Sequence, residues 1–367
     1  MFNHSFRPTS FVTLFALAAC GGESTAPATP TTSVVAPSVA ATSAPQAPKE
    51  PTAEEKKAAN AKEIATEREK NQADAKAENA RWTPELHASA KKLAETKYPT
   101  LKAAMDAVLK GNERAPGHAA RDKYRHPAET LQAFGITPSM TVLEYGPGEG
   151  WYTELLAPTL ASKGKLYVTS SDLKGPADSR ATLYAERFDL FLAKSPELFG
   201  KVERINVDAK SEKIDLVVDG KLDAVLVMRG VHGWINDGKV DAWLSAIQAA
   251  LKPNGILGIE QHRAKPDATD AIATAKNGYV PEAWLVSKFE AAGFKLESKS
   301  EINANPKDTK DYADGVWALP PTLRGGANNR DAFLAIGESD RMTLKFVKAA
   351  TPGQKSATDP KTPAKTK

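Results

Sequence analysis

Residues 141–156 read TVLEYGPGEGWYTELL. An apolar, β-favouring run precedes three glycines at alternate positions, Gly146, Gly148 and Gly150, and a helix-like segment follows. A strand, a glycine-rich turn and a helix in this order bind nucleotide-like cofactors at the carboxyl edge of a parallel sheet, because glycine lets the backbone approach a ligand closely. The stretch therefore predicts an α/β fold with a cofactor site in this turn. The alternative is a turn that serves packing alone.

Strand-like and helix-like patterns alternate on both sides of this stretch. Further helices are predicted at 151–160, 179–192, 240–251 and 281–292, the third closed by Lys-Pro-Asn-Gly at 252–255. Further strands are predicted at 165–170, 202–207, 224–228, 256–260, 294–302 and 342–347, the last two as an antiparallel pair. Alternation of this kind predicts a doubly wound, Rossmann-like, mostly parallel seven-stranded sheet with helices on both faces and an antiparallel last strand.

A helical extension precedes the main domain, which is assigned to residues 136–348. Thr83-Pro84 is a strong helix start within the predicted N-terminal helices, residues 81–135. Residues 52–80 are rich in Ala, Glu and Lys, with Ile64 as nearly the only large apolar residue, which predicts a solvated helical or disordered spacer. The Lys/Pro/Thr-rich tail, residues 349–367, is predicted to be disordered.

The N-terminus has the pattern of an export signal. Arg7 precedes an apolar run, residues 11–19, that is too short to span a bilayer. The run ends in Leu-Ala-Ala-Cys-Gly at 17–21, which resembles the bacterial lipobox. The resemblance implies a signal peptide at 1–20, lipidation of Cys20 and anchoring in the cell envelope. Because no aspartate follows Cys20, it favours the outer membrane, facing the periplasm. The alternative is a buried N-terminal strand with an incidental cysteine, but a Pro/Thr/Ala-rich linker, residues 21–51, follows at once.

Composition excludes several classes of function. A formal net charge of +4 is too small and too evenly spread to predict nucleic-acid binding. The chain also contains no Asn-Pro-Pro-Tyr run of the kind used in amino methylation of DNA bases. With one cysteine, the chain has neither an internal disulfide nor a cysteine-ligated metal site.

The glycine turn favours one class of cofactor. Its glycine spacing is one residue tighter than the Gly-x-Gly-x-x-Gly of dinucleotide-binding turns. Glu144 and Glu149 flank or occupy the turn, and each carboxylate beside a pyrophosphate would cost on the order of 1 kcal/mol. Both features disfavour an NAD-dependent oxidoreductase. S-adenosylmethionine, which carries a sulfonium and an ammonium group, suits an acidic turn better.

The same residues resemble a known family. VLEYGPGEG, residues 142–150, resembles motif I of class I S-adenosylmethionine-dependent methyltransferases, and residues 121–347 follow the order of that family's elements. KYRHPAETLQAFGI, GPGEGWYTELLAP and GKLY also resemble a group of exported, predicted bacterial methyltransferases.

The resemblance implies roles for individual cofactor-binding residues. Glu144 would bind the amino group, directly or through water. The three glycines would lie along the methionine part and adenosine, and Asp208 would accept from the adenine amino group. The family's acid for the ribose hydroxyls is replaced by Ser170, with Asp172 two residues later. Alternatively, Asp172 and Asp208 cap helices and Glu144 is a solvated charge.

Candidates for chemistry lie at the predicted carboxyl edge. His232 could act as a general base, or simply bond a loop carbonyl. Tyr145, as a second candidate base, and Arg229 are the other predicted catalytic residues. A metal site of His232, His262 and Glu260 has weak support, and we predict none. The predicted substrate contacts include His262, two residues of the RDKYRHP segment and three of the long segment 305–331: Arg125, His126, Tyr312, Trp317 and Arg324. The RDKYRHP segment could cover the pocket or form a solvated face, and Arg125 and Arg324 would suit an anionic substrate.

Two hypotheses follow. The first is an exported, lipid-anchored methyltransferase that uses S-adenosylmethionine on a small-molecule or envelope substrate. The second is a non-catalytic envelope lipoprotein that uses the same scaffold to bind a ligand or partner. The export signal and Ser170 favour the second hypothesis, whereas Glu144 and the glycine turn favour the first.

Overall fold

In a computed structural model of the chain, residues 52–208 and 211–349 are described. Cys20, the predicted signal peptide, the linker up to residue 51 and the tail from residue 350 lie outside these ranges. Within the described ranges, every helix is too short or too polar to span a bilayer.

Helices and strands alternate through the main domain, after a helical N-terminal part. The helices are α1 Ala53–Arg81, α2 Pro84–Glu95, α3 Leu101–Val108, α4 Asp122–Arg125, α5 Pro127–Phe134, α6 Thr153–Leu160, α7 Arg180–Ala193, α8 Pro196–Phe199, α9 Val231–Asn236, α10 Val240–Ala250, α11 Ala271–Ala275, α12 Glu282–Ala291 and α13 Arg330–Ile336. The strands are β1 Thr141–Tyr145, β2 Lys165–Ser170, β3 Glu203–Asn206, β4 Leu222–Met228, β5 Leu251–His262, β6 Phe294–Ser300 and β7 Arg341–Lys348.

The strands form one seven-stranded sheet in the order β3-β2-β1-β4-β5-β7-β6. The first five strands in this order are parallel, and β7 runs antiparallel to both β5 and β6. This confirms the predicted doubly wound sheet and its antiparallel last strand. The strand order reverses between β1 and β4, and ligands of such sheets bind at the carboxyl edge beside a reversal.

Each face of the sheet is covered by its own hydrophobic core. On β1 and β4, successive side chains alternate between the two cores: Val142 and Leu226 pack on one face, whereas Leu143 and Val225 pack on the other. Alternation of this kind follows from the two-residue period of a strand. The first face is covered by α2, α3, α5, α6 and α8, and the second by α9, α10 and α12.

The N-terminal helices are part of the folded domain. All eight residues of α6 are buried, and α2, α3 and α8 pack around it. The predicted cap is confirmed, because the Thr83 hydroxyl accepts a hydrogen bond from the Leu86 backbone N–H at 3.3 Å. The α5 helix ends at Gly135, which adopts the left-handed conformation.

Of the two predictions for the spacer, helix or disorder, the helix is confirmed, but it is docked on the domain and not fully solvated. It is a single helix, α1, that begins with a capping box between Thr52 and Glu55 and packs along α7. Ile64 is fully buried, and Arg68 binds Glu186 of α7 at 2.7 Å. Most other positions on the side of α1 that faces α7 are polar, so hydrophobic periodicity does not reveal that α1 is docked.

The predicted Lys-Pro-Asn-Gly stop is instead a bulge at the start of β5. Leu251 pairs with Leu222, and the ladder resumes at Ile256 opposite Ala224. The four residues between them loop out, with Asn254 at a φ of 60°. The strand is therefore longer than its apolar pattern suggested.

Candidate functional site

A cavity of about 640 Å³ opens at the carboxyl edge of the sheet, beside the reversal of strand order. Its walls come from the glycine turn after β1, the ends of β2 and β4, one face of α7 and the segment between β6 and β7. We call that last segment, residues 301–340, the β6–β7 insertion. The volume lies within the range of small-molecule sites, about 300–1,000 Å³.

The glycine turn leaves room for a ligand. Gly146 and Gly148 line the cavity at φ values of 56° and 61°. A Cβ atom at Gly146 would meet nothing within 4 Å, and one at Gly148 would meet only the Gly146 carbonyl oxygen at 4.0 Å. Gly150 differs, because a Cβ there would lie 2.4 Å from the Phe191 ring. The first two glycines therefore border the cavity, and the third allows close packing on α7.

Glu144 lies beneath the cavity and is absent from its lining. Its side chain is 2% exposed, and its Oε2 accepts a hydrogen bond from the Thr153 hydroxyl at 2.7 Å. Burial raises the pKa of this carboxyl to about 7, against the opposing effects of Thr153 and Arg229. The alternative of a solvated charge is wrong, because Glu144 is buried, whereas binding of a cofactor amino group by Glu144, directly or through water, stays a prediction. Glu144 ties the glycine turn to the first turn of α6.

The end of β2 presents hydroxyl groups in place of an acid. Thr169, Ser170 and Ser171 line the cavity, and Thr169 Oγ1 accepts a hydrogen bond from the Gly146 N–H at 2.8 Å. Asp172 is exposed and accepts from the backbone N–H of Lys174, away from the cavity. Thr169 was missed by the sequence analysis because a threonine inside a strand is an ordinary β-former.

Asp208 is also absent from the cavity lining. Of the residues just after β3, Val207 lines the cavity. The Asp208 backbone carbonyl accepts from Ser211 N–H at 3.0 Å. Asp208 therefore does not line the cavity, and its expected contact with the adenine amino group stays a prediction.

Tyr145 lines the cavity as part of an aromatic wall. Its ring packs edge-on against Trp234 and Trp243, with centroid distances of 5.1 and 4.7 Å. Burial raises the pKa of Tyr145 to about 12, so its phenol keeps its proton at neutral pH. Tyr145 therefore suits shaping of the pocket better than acceptance of a proton.

His232 and His262 come together in the cavity, with ring centroids 5.8 Å apart. His232 lies on α9, faces Trp317 and has its Nδ1 3.3 Å from Gln261 Nε2, so the expected loop carbonyl is not its partner. His262 Nδ1 lies 2.6 Å from the Ser339 hydroxyl. Burial lowers the pKa of His232 to about 4 and that of His262 well below its usual range. Both rings are therefore neutral at pH 7 and can accept hydrogen bonds, although His232 is a weaker base than its type suggests.

Arg229 directly follows β4, has a φ of 60° and lines the cavity. Its guanidinium binds Glu260, a carboxylate with no exposed surface, at 3.1 Å. Burial acts to lower the pKa of Arg229, but the carboxylates of Glu260 and Glu338 outweigh it and raise the pKa. Glu260 also accepts from the Tyr152 hydroxyl at 2.9 Å, so its oxygens are engaged within the protein.

Arg125 is buried rather than free in the loop. Its Nε donates to Glu338 Oε2 at 2.9 Å, and its guanidinium lies over the Trp151 ring at 4.7 Å. Glu338 also binds Arg121 and Arg341. We define the arginine cluster as the four arginines and two carboxylates joined in this way: Arg121, Arg125, Arg229, Arg341, Glu260 and Glu338.

The other predicted substrate contacts divide into one that lines the cavity and three that do not. Trp317 lines it, together with Val316 and the two prolines at 320–321, all from the β6–β7 insertion. Arg324 lies behind the Trp317 ring at 5.2 Å. Tyr312 packs on Phe333, and His126 Nδ1 lies 3.4 Å from Asn303 Oδ1. The last three are therefore supports for the insertion, outside the cavity lining.

No cluster of three or more metal-binding side chains occurs within residues 52–208 and 211–349. His232 and His262 do converge, as the metal alternative required. However, Glu260 is held by Arg229, Arg341 and Tyr152.

The cavity is large enough for a small-molecule cofactor. The space above Gly146 and Gly148 is open, and the hydroxyl residues Ser170 and Ser171 line the cavity where the family's acid was expected. Its charge differs from the expectation, because neither Glu144 nor Glu149 lines the cavity, and Glu149 lies 3.3 Å from Arg187. The argument from acidic charge is therefore weakened, whereas the glycine spacing still departs from that of dinucleotide sites.

Residues 118–299 match the family model of a methyltransferase domain. The match begins before α4 and ends within β6, so it includes the glycine turn and the ends of β2 and β4. It covers just under half of the chain. The α1–α3 helices and the whole β6–β7 insertion lie outside the matched methyltransferase domain. Among curated proteins, none matches the chain significantly.

Solved structures with similar folds were also found. A SAM-dependent methyltransferase from Aquifex aeolicus is 15% identical over 69% of this chain and all of its own, with a TM-score of 0.41. The [4+2]-cyclase SpnF is 17% identical over 68% of this chain and 93% of its own, with a TM-score of 0.42. A putative methyltransferase from Bacillus halodurans is 15% identical over 62% and 100% of the two chains, with a TM-score of 0.37. At these values the similarities carry no argument about activity.

Proposed function

We propose that the protein is a methyltransferase that uses S-adenosylmethionine and acts on a small molecule or an envelope component. One observation supports this most directly. Gly146 and Gly148 have positive φ values and open space above them, and they line the cavity beside the reversal of strand order. Both glycines lie within the residues that match the methyltransferase-domain model.

The residues of the cavity suggest how it would work. The glycine turn and the Ser170 and Ser171 hydroxyls would hold S-adenosylmethionine, which supplies an electrophilic methyl group on a sulfonium sulfur. The apolar side chains of the β6–β7 insertion exclude water and hold the acceptor, and positioning of this kind provides much of the rate of a displacement reaction. Neutral His232 can accept the proton of an acceptor that arrives protonated.

Calorimetric titration of the purified chain tests the proposal. We expect micromolar binding of S-adenosylmethionine and S-adenosylhomocysteine and no measurable binding of NAD. Gly148→Val places a branched side chain in the ligand's space, and we expect at least a tenfold loss of affinity, which is about 1.4 kcal/mol.

Gly220→Val is the matched control. Gly220 also has a positive φ, 63°, and open space around its Cβ position, but it lies in the turn before β4, away from the cavity. Backbone strain is therefore similar in both variants. Equal affinities in Gly148→Val and the unaltered chain, or binding of NAD alone, would contradict the proposal.

A further inference from the structure

The arginine cluster carries more positive than negative charge. Four guanidinium groups share two carboxylates, which leaves a formal excess of two positive charges. Glu338 is bound by three arginines and Glu260 by two. Buried charges without full compensation are costly, so an excess of this kind favours an anion nearby.

The excess faces the cavity. The side chain of Arg229 is 19% exposed, whereas its partner Glu260 has no exposed surface. Arg125 lines the same cavity, and Glu338 is the only acidic residue among the lining residues, all of which the structure describes. A ligand in the cavity therefore meets guanidinium groups more than carboxylates.

The pKa shifts of neighbouring titratable groups are consistent with a positive electrostatic potential in the cavity. The pKa of His232 and His262 is lowered by burial first, and Arg229 lowers both further. Glu144, whose pKa burial raises to about 7, is only partly ionised at neutral pH. Even a fully ionised Glu144 would leave the cluster with one positive charge in excess.

S-adenosylmethionine does not supply the missing negative charge. Its sulfonium and ammonium groups outweigh its one carboxylate, so the cofactor brings a net positive charge to the cavity. Neutralising the excess positive charge of the arginine cluster therefore requires a second ligand that is an anion. Guanidinium groups are well suited to bind carboxylate or phosphate oxygens.

We propose that the arginine cluster is an anion subsite for the methyl acceptor, which carries a carboxylate or phosphate group bound by Arg229 and Arg125. This inference rests on the proposed function, because the second ligand is a methyl acceptor only if the protein is a methyltransferase. The alternative source of the anion is the methionine carboxylate of the cofactor itself.

Fluorine NMR of trifluoroacetate, with the full chain in detergent, tests the subsite. We expect the chain to broaden the trifluoroacetate line and inorganic phosphate to reverse the broadening. Trifluoroethanol, a neutral analogue, should be unaffected. Arg125→Gln and Arg229→Gln should each reduce the broadening at least fivefold.

Two further variants keep the result interpretable. Arg114→Gln is the matched control, because Arg114 is as buried as Arg125 and lies over the same Trp151 ring but does not line the cavity. It should retain the broadening. Arg229→Lys keeps the positive charge beside Glu260 and should bind trifluoroacetate within about threefold of the unaltered chain, even if Arg229→Gln fails to fold.

Each result of the experiment has a defined meaning. Broadening that persists with saturating S-adenosylhomocysteine supports an acceptor subsite. Broadening that S-adenosylhomocysteine abolishes assigns the cluster to the cofactor's carboxylate and overturns the proposal. Absence of broadening, or an equal loss in Arg114→Gln, also overturns it. Calorimetry on the same samples tests the cofactor separately, so failure of the proposed function is recognised independently.

Discussion

Glu144 shows how burial changes the role of a single residue. In the sequence it resembles a cofactor ligand, but its carboxyl is enclosed and bonded to Thr153 at the start of α6. Burial raises its pKa from 4.5 to about 7, so the folded state holds this proton more tightly than the unfolded state. The folded state therefore loses stability as the pH rises from about 4.5 to 7, and the cost above that range is about 3 kcal/mol.

Glu144→Gln tests this assignment. The amide has the same shape, accepts the Thr153 hydrogen bond and carries no charge, so we expect the variant to unfold several degrees higher than the unaltered chain at pH 8. At pH 5 the two melting temperatures should converge, because Glu144 is then protonated in the folded state. Glu149→Gln removes the charge of a 61% exposed carboxylate in the same turn and should change neither value much. A constant difference at both pH values for Glu144→Gln would contradict the assignment.

Helix α1 shows the same effect of context at the scale of an element. Its inward positions recur at helical spacing, but most of them are polar, and Ile64 is the fully buried apolar anchor. Glu63 and Glu67 bind Arg180 of α7 at 3.1 and 3.0 Å. Ion pairs between partly exposed side chains contribute little each, so the docking of α1 depends strongly on Ile64.

Ile64→Asp should therefore release α1 while the sheet domain stays folded. We expect trypsin cleavage within α1, after Lys62, Arg68 or Lys70, to become at least tenfold faster, as measured by mass spectrometry. Ala65→Asp introduces the same charge at the next, exposed position and should cleave at the original rate. Equal cleavage of the two variants would show that α1 is not held by Ile64.

At the scale of the whole molecule, we predict that the folded α/β domain is joined to a membrane anchor. The described residues contain no bilayer-spanning helix, and the anchor is proposed from the lipobox resemblance at Cys20. Acylation at that cysteine with two or more chains would hold the protein stably on a membrane. The linker of residues 21–51 would then separate the membrane from the folded domain.

Cys20→Ser should move the protein from the membrane fraction to the soluble fraction and abolish incorporation of labelled palmitate. The chain has a single cysteine, so no second thiol can take the label. Ser24→Ala alters the same segment outside the lipobox and should stay membrane-bound and labelled. Membrane retention of Cys20→Ser would contradict lipid anchoring.

The sequence by itself determined the fold class, because strands and helices have different hydrophobic periods and the glycine turn follows β1 directly. It also identified the border of the cavity: Gly146, Gly148, Ser170, Arg229, His232, His262 and Trp317 all line it. These residues were recognisable because each follows a strand that ends at the same edge of the sheet, or lies in the long insertion.

Only the tertiary structure decided the charge of the site and the partners of its residues. Glu144 becomes an enclosed carboxyl, Asp172 and Asp208 stay outside the cavity, and Arg125 pairs with Glu338 across 213 positions of sequence. The polar face of α1 docks on α7 without a hydrophobic stripe. Burial and charge pairing depend on neighbours brought together by folding, whereas periodicity and turn preference are properties of adjacent residues, and only the latter can be read along the chain.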